Sequence, residues 1–241
     1  MIEKVVVLSG PISAGKSTLA KALQDFPLAS AALTAPDGLL AVGGCLSTNR
    51  LLNAYRHGIF PWNSAEEPIL WWSPNPRLVL FPDKLVVSRS LAKTLRKPKY
   101  VITVDRAFGE VVKACAKSRK EAVGTWITED ILQAYTELHH KGYAHSAEAW
   151  RNGNLVGGLY GVAIGRIFFG ESMFYSETDA SKVAFANLVG RLKAWGYRVI
   201  DCQVSTEHLK SFGAQEIARD EFEKLLGQYC GESPDSSAWR A

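Results

Sequence analysis

Residues 199–204 read Val-Ile-Asp-Cys-Gln-Val, a strand-forming run with a carboxylate in its middle. A second apolar run, from Phe168 to Phe174, is interrupted in the same way by Glu171, which follows Gly170. A charge inside an apolar strand is costly and is kept where it has a task or a partner. Side chains alternate faces along a strand, so Asp201 and Gln203 are expected to point the same way, the acid polarising the amide. Any fold for this chain must bury both runs and still use their acids.

Bulk properties narrow the setting. Hydrophobic residues make up 47% of 241, with seven Trp and ten Phe, which is a globular composition large enough for a sizeable core. No apolar run approaches the ~20 residues that cross a bilayer, and the first residues lack a signal-type cleavage region. The reading is a cytoplasmic protein without membrane partners. Cys45, Cys115, Cys202 and Cys230 lie far apart and read as reduced thiols. His57, His139, His140, His145 and His208 show no metal-ligand spacing, so no metal is assigned. Charge is uneven: between Lys84 and Lys120 eleven Lys or Arg face only Asp105 and Glu110, giving this segment +9 in a chain of +4. A basic surface of that size suits a polyanion, with Lys93, Lys97 and Lys99 as phosphate contacts; a solvated helix face is the other reading.

Element signals run the length of the chain. A strand is expected over 5–9, followed by Gly10, Gly15, Lys16 and Ser17 in P-loop spacing and a helical pattern to Asp25. Ser47 is a helix N-cap and Gly58 a stop. Phe60, Pro61, Trp62, Trp71, Trp72, Pro74 and Pro76 predict a rigid, irregular aromatic wall, with a domain boundary near Pro76. Strands are predicted over 77–81 and 100–104, and helices over 88–95, 107–118 and from Thr128 to Gly142. A hairpin turning at Asn152-Gly153 joins strands 144–150 and 155–164, continued by 167–170. A helix over 181–195, the strand 199–204, a short helix from Thr206 and a last helix over 219–229 complete an α+β order. Leu159, Phe168, Met173 and Phe174 lie near one another in this scheme; alternate members can line an apolar cavity, although core packing explains each equally well.

Taken together, Phe60-Pro61-Trp62, Trp71-Trp72-Ser73-Pro74, Gly124-Thr125-Trp126-Ile127-Thr128, Gly170-Glu171-Ser172-Met173-Phe174 and Asp201-Cys202-Gln203 resemble leucyl/phenylalanyl-tRNA protein transferases, from Phe26 to about Tyr229. The resemblance implies a GNAT-like acyltransferase domain over 77–241 after a small N-terminal domain over 26–76. It implies transfer of Leu, Phe or Met from aminoacyl-tRNA to the N-terminal Arg or Lys of acceptor proteins, by a monomer without cofactor, ATP or metal, marking the acceptor for degradation. No acyl-CoA pyrophosphate loop is visible, so CoA is not the expected donor. In this scheme Asp201 polarises Gln203, whose amide oxygen accepts a hydrogen bond from the attacking amine or whose NH2 orients the ester carbonyl, two roles the sequence leaves open, and Glu171 relays protons or fixes the basic N-terminus. Trp62 and Trp126 line the aminoacyl-adenosine site, and the Leu159, Phe168, Met173 and Phe174 pocket takes the side chain. Cys45 stands where the family pattern has Asp, and Tyr175 where Ser is usual. Residues 1–25, a P-loop-like segment, resemble nothing in the family. They keep a nucleotide kinase or ATPase open as an alternative, and the basic segment keeps open a non-catalytic RNA-binding protein.

Overall fold

The computed structural model describes residues 5–8, 26–120 and 125–240. Within them the chain forms two β-sheets. The smaller takes β1 (Val6–Leu8), β2 (Leu39–Gly43), β3 (Phe60–Pro61) and β4 (Leu70–Trp72) in the order β1-β2-β4-β3. Its strands flank α1 (Thr48–Arg56), which starts after Ser47 and stops at Gly58, where φ is +73°. The P-loop spacing at 10–17 lies outside the described residues.

The expectation of an irregular wall over 60–76 needs correction, because β3 and β4 pair there. Pro61 is tolerated because β3 is the edge of its sheet, where a missing N–H need not break a ladder. Trp71 is fully buried, and its indole donates to Gly43 O at 2.8 Å, which ties β4 to β2.

From Arg77 onward the chain enters the larger sheet. It contains β5 (Arg77–Leu80), β6 (Val101–Val104), β7 (Ala144–Arg151), β8 (Asn154–Ile164), β9 (Ile167–Tyr175), β10 (Val199–Gln203) and β11 (Gln215–Ile217), in the order β11-β5-β10-β9-β8-β7-β6. The β7–β8 hairpin turns at Asn152 and Gly153, whose φ values of +51° and +80° are those a type I′ turn demands. Its helices are α2 (Arg89–Leu95), α3 (Phe108–Lys120), α4 (Glu129–His140), α5 (Ala180–Ala194), α6 (Glu207–Lys210) and α7 (Arg219–Tyr229). Ser88, Thr128 and Thr206 cap α2, α4 and α6 by accepting from the backbone N–H three residues on.

Strand alternation sorts the core into two clusters. Val79, Phe169 and Val199 face Tyr135 of α4 and Phe222 of α7, whereas Leu78, Phe168 and Ile200 face Val183 and Leu188 of α5. This is the mixed α+β arrangement that the sequence order predicts. Among the described residues no helix is long and apolar enough to cross a membrane.

One feature of the larger sheet creates a cleft. β9 and β10 pair in parallel from Ile167↔Val199 to Phe169↔Asp201, and among the described residues that is the only parallel pairing in the sheet. Past that point both strands continue without bonding each other. Their separating ends, Gly170 to Met173 and Asp201 to Gln203, line a cavity.

Candidate active site

Asp201 is fully buried, and its charge is met by a residue 124 positions earlier. Arg77, at the start of β5, donates Nε to Asp201 Oδ1 at 2.8 Å and Nη2 to Oδ2 at 2.7 Å, a bidentate pair. Its remaining Nη1 donates to Gly58 O at 3.0 Å, and its guanidinium lies between the rings of Phe60 and Phe222, 4.8 Å from each centroid. A buried ion pair needs such full satisfaction, since loss of either partner strands a charge.

Asp201 also governs Gln203, but through the backbone. Its Oδ1 accepts the Gln203 backbone N–H at 2.9 Å, the β10–β5 register shifts between the two residues, and Gln203 takes φ +61°. Such a conformation is rare for a residue with a side chain and persists only when its surroundings fix it. The alternation rule places the Asp201 carboxylate beside the Gln203 amide; the bulge at the end of β10 puts it on the backbone instead.

The Gln203 side chain meets Glu171. Its Nε2 donates to Glu171 Oε1 at 3.0 Å; Tyr55 OH donates to the same oxygen at 2.8 Å, and Tyr135 OH donates to Oε2 at 3.1 Å. The two phenol oxygens also touch each other. Burial raises the Glu171 pKa to about 7, against the lowering effect of the phenol hydrogen bonds. Burial also pushes both phenols well above their ordinary value, which keeps them donors. With Nε2 donating to Glu171, the Gln203 carbonyl oxygen is turned away from that carboxyl; once Glu171 is ionised it only accepts, which favours the same orientation.

These groups border a cavity of about 500 Å³, within the usual range for small-ligand sites. Leu159, Phe168, Met173, Phe185, Ile200 and Leu209 give it an apolar lining, and Trp62 and Trp126 stand on its wall, Trp62 well exposed. The structure thus gathers Glu171, Asp201, Gln203, Trp62, Trp126, Leu159, Phe168 and Met173 at one cavity. Phe174 is not on that wall: as β9 alternates, its ring packs into the opposite core cluster. Lys93 and Lys97 are exposed on and just after α2, whereas Lys99 lies 3.7 Å from Glu177 and over the Tyr100 ring.

Sequence reasoning missed Arg77, Tyr55 and Tyr135. Arg77 opens an apolar strand, the same intrusion that marks Asp201, and so carried a readable signal. The tyrosines sit at ordinary core positions of α1 and α4 and carried none. The fold also joins Asp105, His139 and His145, whose candidate ligand atoms lie within 4.8 Å of one another. Hydrogen bonds already engage this group: His145 Nδ1 meets Asp105 Oδ2 at 2.7 Å, His145 Nε2 meets Gly142 O at 3.2 Å, and His139 Nδ1 meets Ala144 O at 2.8 Å.

A buried acid and amide border an apolar cavity with an exposed indole on its wall, and the relatives of this chain define its class, a group-transfer enzyme. The family model described as leucyl/phenylalanyl-tRNA protein transferase matches residues 79–227, and the model of that family's N-terminal domain matches residues 44–75. A leucyl/phenylalanyl-tRNA protein transferase of Methylococcus capsulatus is 59% identical over 217 residues, 90% of this chain and 92% of that protein. One of Pseudomonas fluorescens Pf-5 is 57% identical over 215 residues, 89% of this chain and 95% of that protein. Among solved structures, a GCN5-related N-acetyltransferase from Kribbella flavida aligns at 12% identity and a TM-score of 0.36, covering 68% of this chain and 58% of that one. The chain belongs to the leucyl/phenylalanyl-tRNA protein transferase family and is an aminoacyltransferase, with aminoacyl-tRNA and protein as its substrates.

Proposed function

We propose that this chain, through a GNAT-like domain following a small N-terminal domain over 26–76, moves Leu, Phe or Met from aminoacyl-tRNA to the N-terminal Arg or Lys of cytoplasmic proteins and so marks them for degradation. The observation that carries this reading is the junction of the apolar cavity with the Glu171–Gln203 pair. The cavity takes an unbranched-at-Cβ apolar side chain, with Met173 as its pliable wall. Trp62 and Trp126 stack on the terminal adenosine. The acyl carbon then lies near the free Gln203 carbonyl oxygen, which accepts a hydrogen bond from the incoming amine and aligns its lone pair.

Asp201 and Arg77 act by fixing the backbone of Gln203. Glu171 acts by fixing its amide, with Tyr55 and Tyr135 holding Glu171 in turn. The donor ester is already activated, so positioning is the main demand on the protein. The exposed lysines at 93 and 97, with Lys99, contact tRNA phosphates. Neutralising all three weakens tRNA binding and flattens its salt dependence, each true contact contributing about 0.7 to 0.9 to the logarithmic slope; an unchanged slope removes them from the interface. The reading as a whole is tested by transfer of radiolabelled Leu from Leu-tRNA to a peptide beginning with Arg, against the same peptide with an acetylated N-terminus. Label appears in the first peptide only; no transfer to either, with tRNA still bound, returns the chain to RNA binding alone.

A further inference from the structure

A proton remains unplaced in the chemistry above. An α-amino group titrates near ~7.7 to 8.0, so near neutral pH the acceptor arrives mainly as an ammonium and must lose a proton before it attacks. Gln203 can accept a hydrogen bond but cannot hold a proton. Asp201 accepts from Arg77 and the Gln203 backbone, and Glu171 accepts from Tyr55 and Gln203 at Oε1 and from Tyr135 at Oε2, so each already holds a structural place in the site.

One imidazole stands on the cavity wall. His208, on α6, lines the 500 Å³ cavity and also a second, more polar cavity of about 540 Å³ beside it; among the described residues His208 and Met173 belong to both walls. The residue is exposed, so it communicates with solvent. Its ring meets the edge of Phe212 at 5.3 Å, and among the described residues neither ring nitrogen has a hydrogen-bond partner. This contrasts with His139 and His145, whose Nδ1 atoms are engaged. Burial, then the charge of Lys182, lowers the His208 pKa and favours the neutral ring. Other titratable groups on the two walls are Tyr160 on β8, Tyr175 and Glu171 on β9, Asp179 just before α5 and Lys182 on it, and Asp201 and Cys202 on β10. On α6 itself, Lys210 is paired with Glu216 at 3.0 Å and Glu207 at 3.9 Å.

Building on the transfer reading, we propose that His208 is a catalytic residue that takes the proton from the acceptor's α-ammonium and releases it to solvent. The ammonium loses one proton to the imidazole. The neutral amine then attacks the ester carbonyl carbon, the N–C bond forms, and the C–O bond to the ribose breaks. The second amine proton goes to the departing ribose oxygen, and the imidazolium returns its proton to water. Ester and ammonium thus become amide, ribose hydroxyl and one solvated proton.

The test is single-turnover transfer from Phe-tRNA to an Arg-initiated peptide across pH 6.5 to 8.5, using wild type, His208→Gln and His208→Ala. At pH 7 both variants are expected to transfer at least about tenfold more slowly, with tRNA affinity and melting temperature unchanged. The defect shrinks to within about threefold near pH 8.5, where the amine deprotonates unaided. Added imidazole restores His208→Ala at pH 7 and does nothing for wild type. A defect of equal size at both pH values, no defect at all, or no rescue by imidazole overturns the proposal while wild-type transfer leaves the reading of function standing. Absence of transfer by wild type overturns both.

Discussion

The side-chain amide of Gln203 donates to Glu171 Oε1 at 3.0 Å, joining β10 to β9 just past the point where those parallel strands stop pairing. The bond spans the opening of the cleft, so a residue on each lip fixes the other. Its strength depends on the charge of Glu171, and that charge can be measured through stability.

Replacing Glu171 by Gln separates fold from function. The folded carboxyl holds its proton up to about pH 7, against 4.5 for the ordinary group. Between those values the folded state binds more protons than the unfolded one, so stability falls as pH rises, by up to about 3 kcal/mol in total. Glu171→Gln should remove that decline and unfold at a higher temperature than wild type at pH 8, while transferring more slowly. A wild-type melting temperature that climbs from pH 5 to pH 7.5 by an amount the variant does not share contradicts the assignment.

Arg77→Lys tests the buried ion pair. A lysine cannot reproduce the two-pronged contact with Asp201 together with the third bond to Gly58 and the stacking between Phe60 and Phe222. The expected cost is about 3 kcal/mol of stability or more, read by denaturant titration. A loss under about 0.5 kcal/mol places the pair among weak surface contacts.

Much of this arrangement was legible in the sequence, and the illegible parts share a cause. Glu171 and Asp201 stand out because a charge in an apolar run is costly wherever the chain folds. The Asn152-Gly153 turn and the Thr128 and Thr206 caps were readable because each is a local rule that tertiary packing seldom overrides. β2 and β11 went unread: Leu39–Gly43 is apolar or small throughout and Gln215–Ile217 spans three residues, so neither shows an alternation. The pairing of β3 with β4 was hidden because proline argues against strands except at an edge, and sequence does not show edges. The Asp201–Gln203 geometry was misjudged by one feature, a bulge that moves the carboxylate from side chain to backbone. Arg77, Tyr55 and Tyr135 depend on contacts across 124, 116 and 36 residues, which no periodicity reports.

Met173→Ala probes side-chain selection. Met173 lines the cavity beside Leu159 and Phe168, and removing a few methylene-sized groups from an apolar pocket shifts discrimination by about 1 to 3 kcal/mol. The ratio of kcat/KM for Leu-tRNA over Phe-tRNA should change by about tenfold, with the larger side chain gaining. A ratio unchanged by the substitution makes Met173 a packing residue only.

In the proposed reaction Gln203, held by Glu171 through its side chain and by Asp201 through its backbone, aligns the attacking amine. Single-turnover transfer by Gln203→Ala, with the dissociation constant for Leu-tRNA measured on the same preparation, isolates this role. Transfer is expected to be slower by about 10² or more, with tRNA affinity unchanged within about twofold. Transfer at the wild-type rate, or a loss explained wholly by weaker tRNA binding, would contradict it.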